Sequence, residues 1–413
     1  MKKVFSTFSL AFALIAFLSC SNDDDVSKMD EEEQIEIENP ATYVFERDGE
    51  STVDYNGQTT RLKMGSEFVS ALSDNTQTAD ELLAMFGHEE GNVDFSDDDL
   101  NASDKSIRSK TAASVDLFAT NASDQAAIRA DFDTWINGQV DEVFANWEVV
   151  AEPGVAGQVP QGERVRYVNA NGLEYNQMVN KGLIGALTLD QIVNNYLSPA
   201  VLDEGENKAN NDADILEDGK SYTTMEHKWD EAYGYLFALN SNPENPVDAE
   251  NDGDRFLGSY IQQVAADPDF NDLISASYEA FKLGRAAIVA KNYEVRDEQA
   301  AIIKAKLSLV PSVRGVFYLQ AGKNALAEEV PDYGSAFHAI SEGFGFIYSL
   351  QFSNNPDTGA PYMSKAEVDA LLEDLLGDGE NGLWDITGET LDAISTTIAT
   401  KFGFTVAEAS STE

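Results

Sequence analysis

Two of the chain's three histidines sit in matching surroundings, and they are where its chemistry is first sought. One segment reads His227-Lys228-Trp229-Asp230-Glu231-Ala232-Tyr233-Gly234, the other His338-Ala339-Ile340-Ser341-Glu342-Gly343-Phe344-Gly345. On a helix, residues at i, i+4, i+7 and i+11 share one face, so His, Glu, Gly and then Ala238 or Ser349 form a stripe in each segment. Imidazole and carboxylate one turn apart can point at a single metal ion and suit iron, zinc or manganese. Helical bundles build such sites from inward-facing His and carboxylate side chains. Asp230 and Glu226 add oxygen donors beside His227. The expected metal ligands are therefore His227, Glu231, His338, Glu342 and Asp230, holding iron, zinc or haem. The plain alternative is that each His–Glu pair satisfies itself by a charge-assisted hydrogen bond while the glycines let another helix approach. Whether the stripes face one site or two stays open.

Other chemistry is thinner. There is no His-Glu-x-x-His motif, nucleophile elbow, phosphate loop or dinucleotide fingerprint. A metal-dependent peptidase would have to use the same His–Glu pairs with a metal-bound water, so a binding protein is the more direct expectation. Asp248 to Asp254 begins like a calcium loop, but Ser259 stands where a bidentate Glu is needed, and calcium is not expected. His88, in a polar Gly-His-Glu-Glu-Gly turn, reads as solvated. Trp135, Trp147, Trp229 and Trp384 could include a sugar-stacking platform, although Trp135 and Trp147 fall on an apolar helical face and read as core.

The elements that must position these residues are mostly helical. Ile128, Phe132, Trp135, Ile136, Val140, Val143, Phe144 and Trp147 mark one apolar helix face, with Asp124 as an N-cap before it. Further helices are expected over Glu174–Leu187, Tyr222–Leu239, Asp272–Ala290, Glu298–Leu309, Tyr333–Leu350, Ser364–Leu376 and Thr390–Lys401. Residues 88–124 read as a long polar surface loop. Strands are expected at Tyr43–Glu46, Ser51–Tyr55 and Gln58–Leu62, the last after an Asn56-Gly57 turn. The fold class is all-α with a small N-terminal β-meander.

Of 413 residues, 43% are hydrophobic, ample for a packed core, and the formal net charge is −46. Such a surface repels nucleic acid and anionic lipid. Lys2-Lys3, the apolar run Val4–Leu18 and then Leu18-Ser19-Cys20 read as a lipoprotein signal with the only cysteine as lipidation site. Residues 1–19 are the expected signal peptide, 20–40 an acidic tether, 41–62 the β-meander and 63–413 the helical domain, with related His-x3-Glu helices near 222–240 and 333–351.

The run Ser21-Asn22-Asp23-Asp24-Asp25 resembles the export tag of Bacteroidetes lipoproteins, which implies a lipid anchor in the outer membrane with the body at the cell surface; a periplasm-facing anchor is the alternative. Phe337-His338-Ala339-Ile340-Ser341-Glu342-Gly343-Phe344-Gly345 resembles the motif region of imelysin-like proteins, whose pattern is Gly-x-His-x-x-Glu. Ala336 replaces the Gly, and Glu342 falls four rather than three residues after His338. The other half has Met225 for the Gly, with Asp230 three and Glu231 four residues after His227. The resemblance implies a two-repeat helical bundle and a role in iron or haem acquisition. More closely, Tyr43–Glu46, Tyr55–Leu62, Pro153–Gly157, Gly172–Glu174 and Lys181–Ala186 resemble an uncharacterised family of Bacteroidetes lipoproteins. That likeness implies an outer-membrane transporter or an imelysin-like protein as partner. Capture of glycans beside such a transporter is the remaining reading.

Overall fold

The computed structural model describes residues 37–249 and 253–410. The signal peptide, Cys20 and most of the tether lie outside the described residues, as does the middle of the calcium-like loop.

A short hairpin, β1 (Glu46–Arg47) and β2 (Glu50–Ser51), turns through Asp48 and Gly49, both with positive φ. Tyr43 anchors it: its ring stacks on Tyr233 at 3.6 Å and its hydroxyl donates to Asp230 at 2.7 Å. The third expected strand is absent, and α1 (Asn56–Ala71) begins instead. Gly57 does not take the positive φ that a type I′ turn requires. Gln58, Arg61, Leu62, Gly65 and Phe68 are buried, a helical rather than alternating pattern, so tertiary packing overrides the local turn signal.

After α2 (Ala79–Gly87), the expected loop at 88–124 carries α3 (Asp98–Asn101), α4 (Ile107–Lys110) and α5 (Val115–Phe118). It is not a surface loop, because Phe95, Leu100, Ile107, Ala112 and Phe118 enter the core. The buried Asp190 ties it down, accepting the Ala113 and Ser114 N–H groups at 3.1 and 3.0 Å. His88 is likewise buried rather than solvated, with Nδ1 2.6 Å from Asp94.

The α6 helix (Ala122–Gly138) passes into a π-helical turn, Gln139–Val143, and a 3₁₀ turn, Phe144–Asn146. A second hairpin, β3 (Gly157–Gln161) with β4 (Arg164–Val168), pairs Gln161 with Arg164 around Gly162. Pro160 masks this strand in the sequence, since proline is confined to edge positions. Next come α7 (Tyr175–Leu183), π-helical segments at Ile184–Leu189 and Ile192–Tyr196, then α8 (Pro199–Leu202) and α9 (Asn207–Asp212). The chain continues through α10 (Thr224–Phe237), α11 (Leu257–Ala265) and α12 (Leu273–Val289).

The spine is α13 (Tyr293–Leu326), on which α12, α14 (Tyr333–Ser349) and α16 (Gly388–Phe402) pack. It runs straight through Pro311 instead of stopping at Leu309. Proline removes one N–H and crowds the preceding turn, a cost this helix carries because Leu307, Val310, Val313 and Val316 all enter the core. α15 (Lys365–Leu376) and α17 (Val406–Ser410) complete an all-α fold with two small hairpins. Among the described residues no helix is long and apolar enough to cross a membrane.

Candidate functional site

Each histidine stripe faces its own partner helix. A Cβ on Gly234 would strike Cβ of Tyr55 at the start of α1, and one on Gly345 would lie 2.5 Å from Cβ of Lys181 on α7. The glycines therefore set close helix contacts, α10 on α1 and α14 on α7. These two pairs are built alike. Both partner helices read Tyr-Asn at the start, a basic residue six positions after the Tyr and a Gly ten after it: Tyr55, Asn56, Arg61, Gly65 and Tyr175, Asn176, Lys181, Gly185. An acid, Asp54 or Glu174, precedes each Tyr. This spacing was open to detection in the sequence once α1 was read as a helix, and the strand expectation hid it.

In the first pair, Thr223 caps α10 and exchanges hydrogen bonds with Glu226 in a capping box. The His227 ring stacks on Tyr222 at 4.7 Å, its Nε2 lies 4.0 Å from Glu231 Oε2, and its buried Nδ1 has no hydrogen-bond partner among the described residues. Glu231 accepts from Gln58 at 3.0 Å and Lys228 at 2.9 Å. Burial pushes its carboxyl up, but Lys228 and His227 outweigh this and hold it below the ordinary value. Asp230 points elsewhere. Fully buried, it takes Tyr43 and the guanidinium of Arg285, which also holds Glu226 at 3.0 Å. Burial pushes the Asp230 carboxyl up to about 7 despite that cation. Glu226 is held below its ordinary value against the push of burial, by Arg285 and by Arg47, which grips it with two bonds of 3.0 Å.

In the second pair, His338 Nδ1 lies 3.2 Å from both carboxylate oxygens of Glu174, and Nε2 lies 3.8 Å from Glu342 Oε2. Lys181 Nζ approaches Glu342 Oε1 at 3.2 Å. Tyr260 and Tyr318 flank this group, and burial, followed by the charge of Glu342, raises both phenols. Ser341 Oγ accepts the Glu174 N–H at 2.9 Å, fixing the acid against α14.

The five expected ligands are thus divided: His227 with Glu231, His338 with Glu342, and Asp230 in a separate arginine cluster. Among the described residues no three His, Cys, Asp or Glu side chains are placed to hold a metal ion. Ammonium or guanidinium groups already occupy Glu231, Glu342, Asp230 and Glu226, and each would repel a metal cation. The donor set as arranged does not fit one.

Beyond Glu174 lies a feature the sequence reading missed. A cavity of about 210 Å³ is lined by Gln139, Trp147, Arg166, Tyr167, Glu174 and Asn176, among others. Trp147 is not core: past the π turn it leaves the apolar face and stacks on Tyr167 with ring centres 3.4 Å apart and planes 6° apart. Gln139 is only 2% exposed, yet among the described residues its Oε1 has no partner, and the buried Oδ1 of Asn176 has none either. π-helical turns are frequent at functional sites, and Gln139 sits in one. Trp229 by contrast is fully buried, donating to the Phe281 carbonyl at 3.0 Å.

Fold and site together define an all-α protein with two like-built polar helix pairs and an aromatic cavity beside one of them. Residues 40–405 match the family model described as Domain of unknown function (DUF4856), and the chain belongs to that family. No curated protein and no solved structure matches it.

Proposed function

We propose that the chain is a lipid-anchored outer-membrane protein, exposed at the cell surface, that captures a polyhydroxylated ligand such as a glycan in the cavity at Trp147 and Tyr167. The observation that carries this is the face-to-face aromatic pair beside amide oxygens without partners. An aromatic face accepts the C–H side of a sugar ring, while amides and a carboxylate pair with its hydroxyls. Hydrophobic walls with a few convergent polar groups are the usual form of a small-ligand site. The sequence resemblances support an outer-membrane transporter as partner.

Calorimetric titration of the full chain with soluble neutral oligosaccharides tests it. Trp147→Ala, removing a stack worth about 1 kcal/mol, should weaken binding roughly fivefold with the helical circular dichroism unchanged. No saturable binding, or equal binding by the variant, would count against the reading. For the anchor, Cys20→Ala should release the protein from the membrane fraction.

A second reading, carried by the repeated His-x3-Glu spacing, makes His227, Glu231, His338 and Glu342 the binding residues for iron, zinc or haem, and it requires Lys228 and Lys181 to leave the two carboxylates. Metal analysis of the parent beside His227→Ala/His338→Ala decides it: ligand retained by the parent and lost in a folded variant supports it, and two empty proteins dismiss it.

A further inference from the structure

One wall of the cavity at Trp147 and Tyr167 is the strand β4, and the register of the hairpin shows which way its main chain points. Gln158 of β3 donates its N–H to the Val149 carbonyl at 2.6 Å and accepts from the Ala151 N–H at 2.9 Å, so its main-chain groups face away from β4. Gln158 stands opposite Tyr167. Hydrogen-bonded and non-hydrogen-bonded positions alternate in an antiparallel pair, so the N–H and C=O groups of Tyr167 and Val165 point outward from the hairpin. Asn169, two residues on, has its N–H taken by the Leu173 carbonyl at 2.8 Å. Among the described residues no main-chain group pairs with that edge at Val165 or Tyr167, and both residues line the cavity. The chain closes its own strand edge at Asn169 and leaves the cavity an open one.

The remaining walls offer acceptors. Gln139 Oε1 and Asn176 Oδ1 are buried without hydrogen-bond partners among the described residues. Ser73 Oγ accepts from Asn176 Nδ2 at 3.2 Å, which leaves the amide oxygen as the open end. Arg166 and Glu174 bring one charge of each sign, and both are engaged. Arg166 donates its Nε to Gln161 at 2.6 Å, and both oxygens of Glu174 lie 3.2 Å from His338 Nδ1. Donor N–H groups on the strand edge, amide acceptors on another wall and no net charge are the complement of a neutral secondary amide. Such an amide is planar and trans, so its carbonyl and its N–H point to opposite sides. A hydroxyl, by contrast, carries donor and acceptor on a single oxygen.

We infer that the cavity recognises an acetamido group, and so takes an N-acetylated amino sugar in preference to a plain hexose. This inference rests on the glycan reading and narrows it. The acetamido carbonyl accepts from the outward N–H of Val165 or Tyr167, and its N–H donates to Gln139 Oε1. Asn176 Oδ1 takes a neighbouring hydroxyl, and the sugar ring lies on the Trp147–Tyr167 pair. A cavity of about 210 Å³ is smaller than those that enclose drug-sized ligands and suits a single ring.

Calorimetric titration of the full chain with di-N-acetylchitobiose and with cellobiose tests it, because the two sugars differ only in acetamido against hydroxyl at each C2. Two added hydrogen bonds should make the N-acetylated sugar bind roughly tenfold tighter. It should also slow amide hydrogen exchange in Arg164–Val168, which cellobiose should not do. Gln139 makes no hydrogen bond among the described residues, so Gln139→Leu strands no partner and should fold. That variant should cut the preference to about threefold and leave cellobiose binding as it was. Equal affinity for the two sugars, an unchanged preference in Gln139→Leu, or no added protection of β4 would overturn the acetamido assignment and leave the glycan reading standing. Binding of neither sugar would remove both. Binding of N-acetyl-trialanine amide in place of the sugars would give the open edge to a peptide strand and overturn the inference as well.

Discussion

Replacing Arg285 with methionine should destabilise the protein by about 3–5 kcal/mol at pH 8, the usual cost of breaking a buried ion pair. The guanidinium has no solvent exposure and holds Asp230 at 3.1 Å, Glu226 at 3.0 Å and Thr52 at 3.0 Å. Methionine fills most of the space, so the penalty is electrostatic rather than a cavity. Glu226 keeps Arg47 and the Thr223 amide; among the described residues Asp230 keeps only Tyr43, and its Oδ2 already lacks a hydrogen-bond partner. The deficit must therefore depend on pH. Burial raises the folded-state value of Asp230 to about 7, against about 3.9 in an unfolded chain. A carboxyl raised in this way contributes most below its unfolded value, and stability is lost as pH rises through the folded one. Without Arg285 the folded value climbs further and the decline continues above neutrality. At pH 5 Asp230 is protonated in both proteins and the deficit should shrink. Urea unfolding at pH 5 and pH 8, followed by far-ultraviolet circular dichroism, measures both. A deficit under about 1 kcal/mol at pH 8, or one larger at pH 5, would refute the reasoning. The result bears on the site as well, because Arg285 occupies Asp230 and shares Glu226 with Arg47.

Gly345→Ala should lower stability although it improves helix propensity by about 1 kcal/mol, because overpacking costs about 1–3 kcal/mol. The new methyl would meet Lys181 Cβ at 2.5 Å and the Gly182 amide at 3.0 Å, whereas Gly343→Ala on the same helix meets the end of the Leu319 side chain at 3.2 Å and otherwise ordinary contacts at 3.6 Å, and should be tolerated. Urea midpoints for the two variants must differ in that order. Asp190 is raised to about 6 by burial, so about 2 kcal/mol of its contribution should disappear as pH rises from 4 to 7. In Asp190→Asn that share of the decline should be missing; equal pH slopes in variant and parent would contradict it.

Local patterns made much of the fold legible. The His227 and His338 helices lie within two residues of their expected bounds, Tyr222–Leu239 and Tyr333–Leu350. Misreadings arose where a distant contact outweighed a local signal. Asn56-Gly57 has the chemistry of a hairpin turn, but the burial of Arg61, Leu62 and Phe68 makes it the start of a helix. Pro311 signals a stop, yet core packing on both sides carries the helix past it. The polar stretch 88–124 enters the core because Asp190, distant in sequence, supplies acceptors for its amides.

The sequence by itself determined the helical class, the family to which residues 40–405 belong and the recurrence of His and Glu at helical spacing. Those properties are set by spacing within one segment, which a chain displays before it folds. Only the tertiary structure decided what each carboxylate meets: Lys181 at Glu342, Lys228 at Glu231 and Arg285 at Asp230. It alone brought Trp147 onto Tyr167 and left Gln139 Oε1 without a partner among the described residues. Charge pairing and stacking act across a few ångströms of space, and folding, not sequence order, determines which residues come that close.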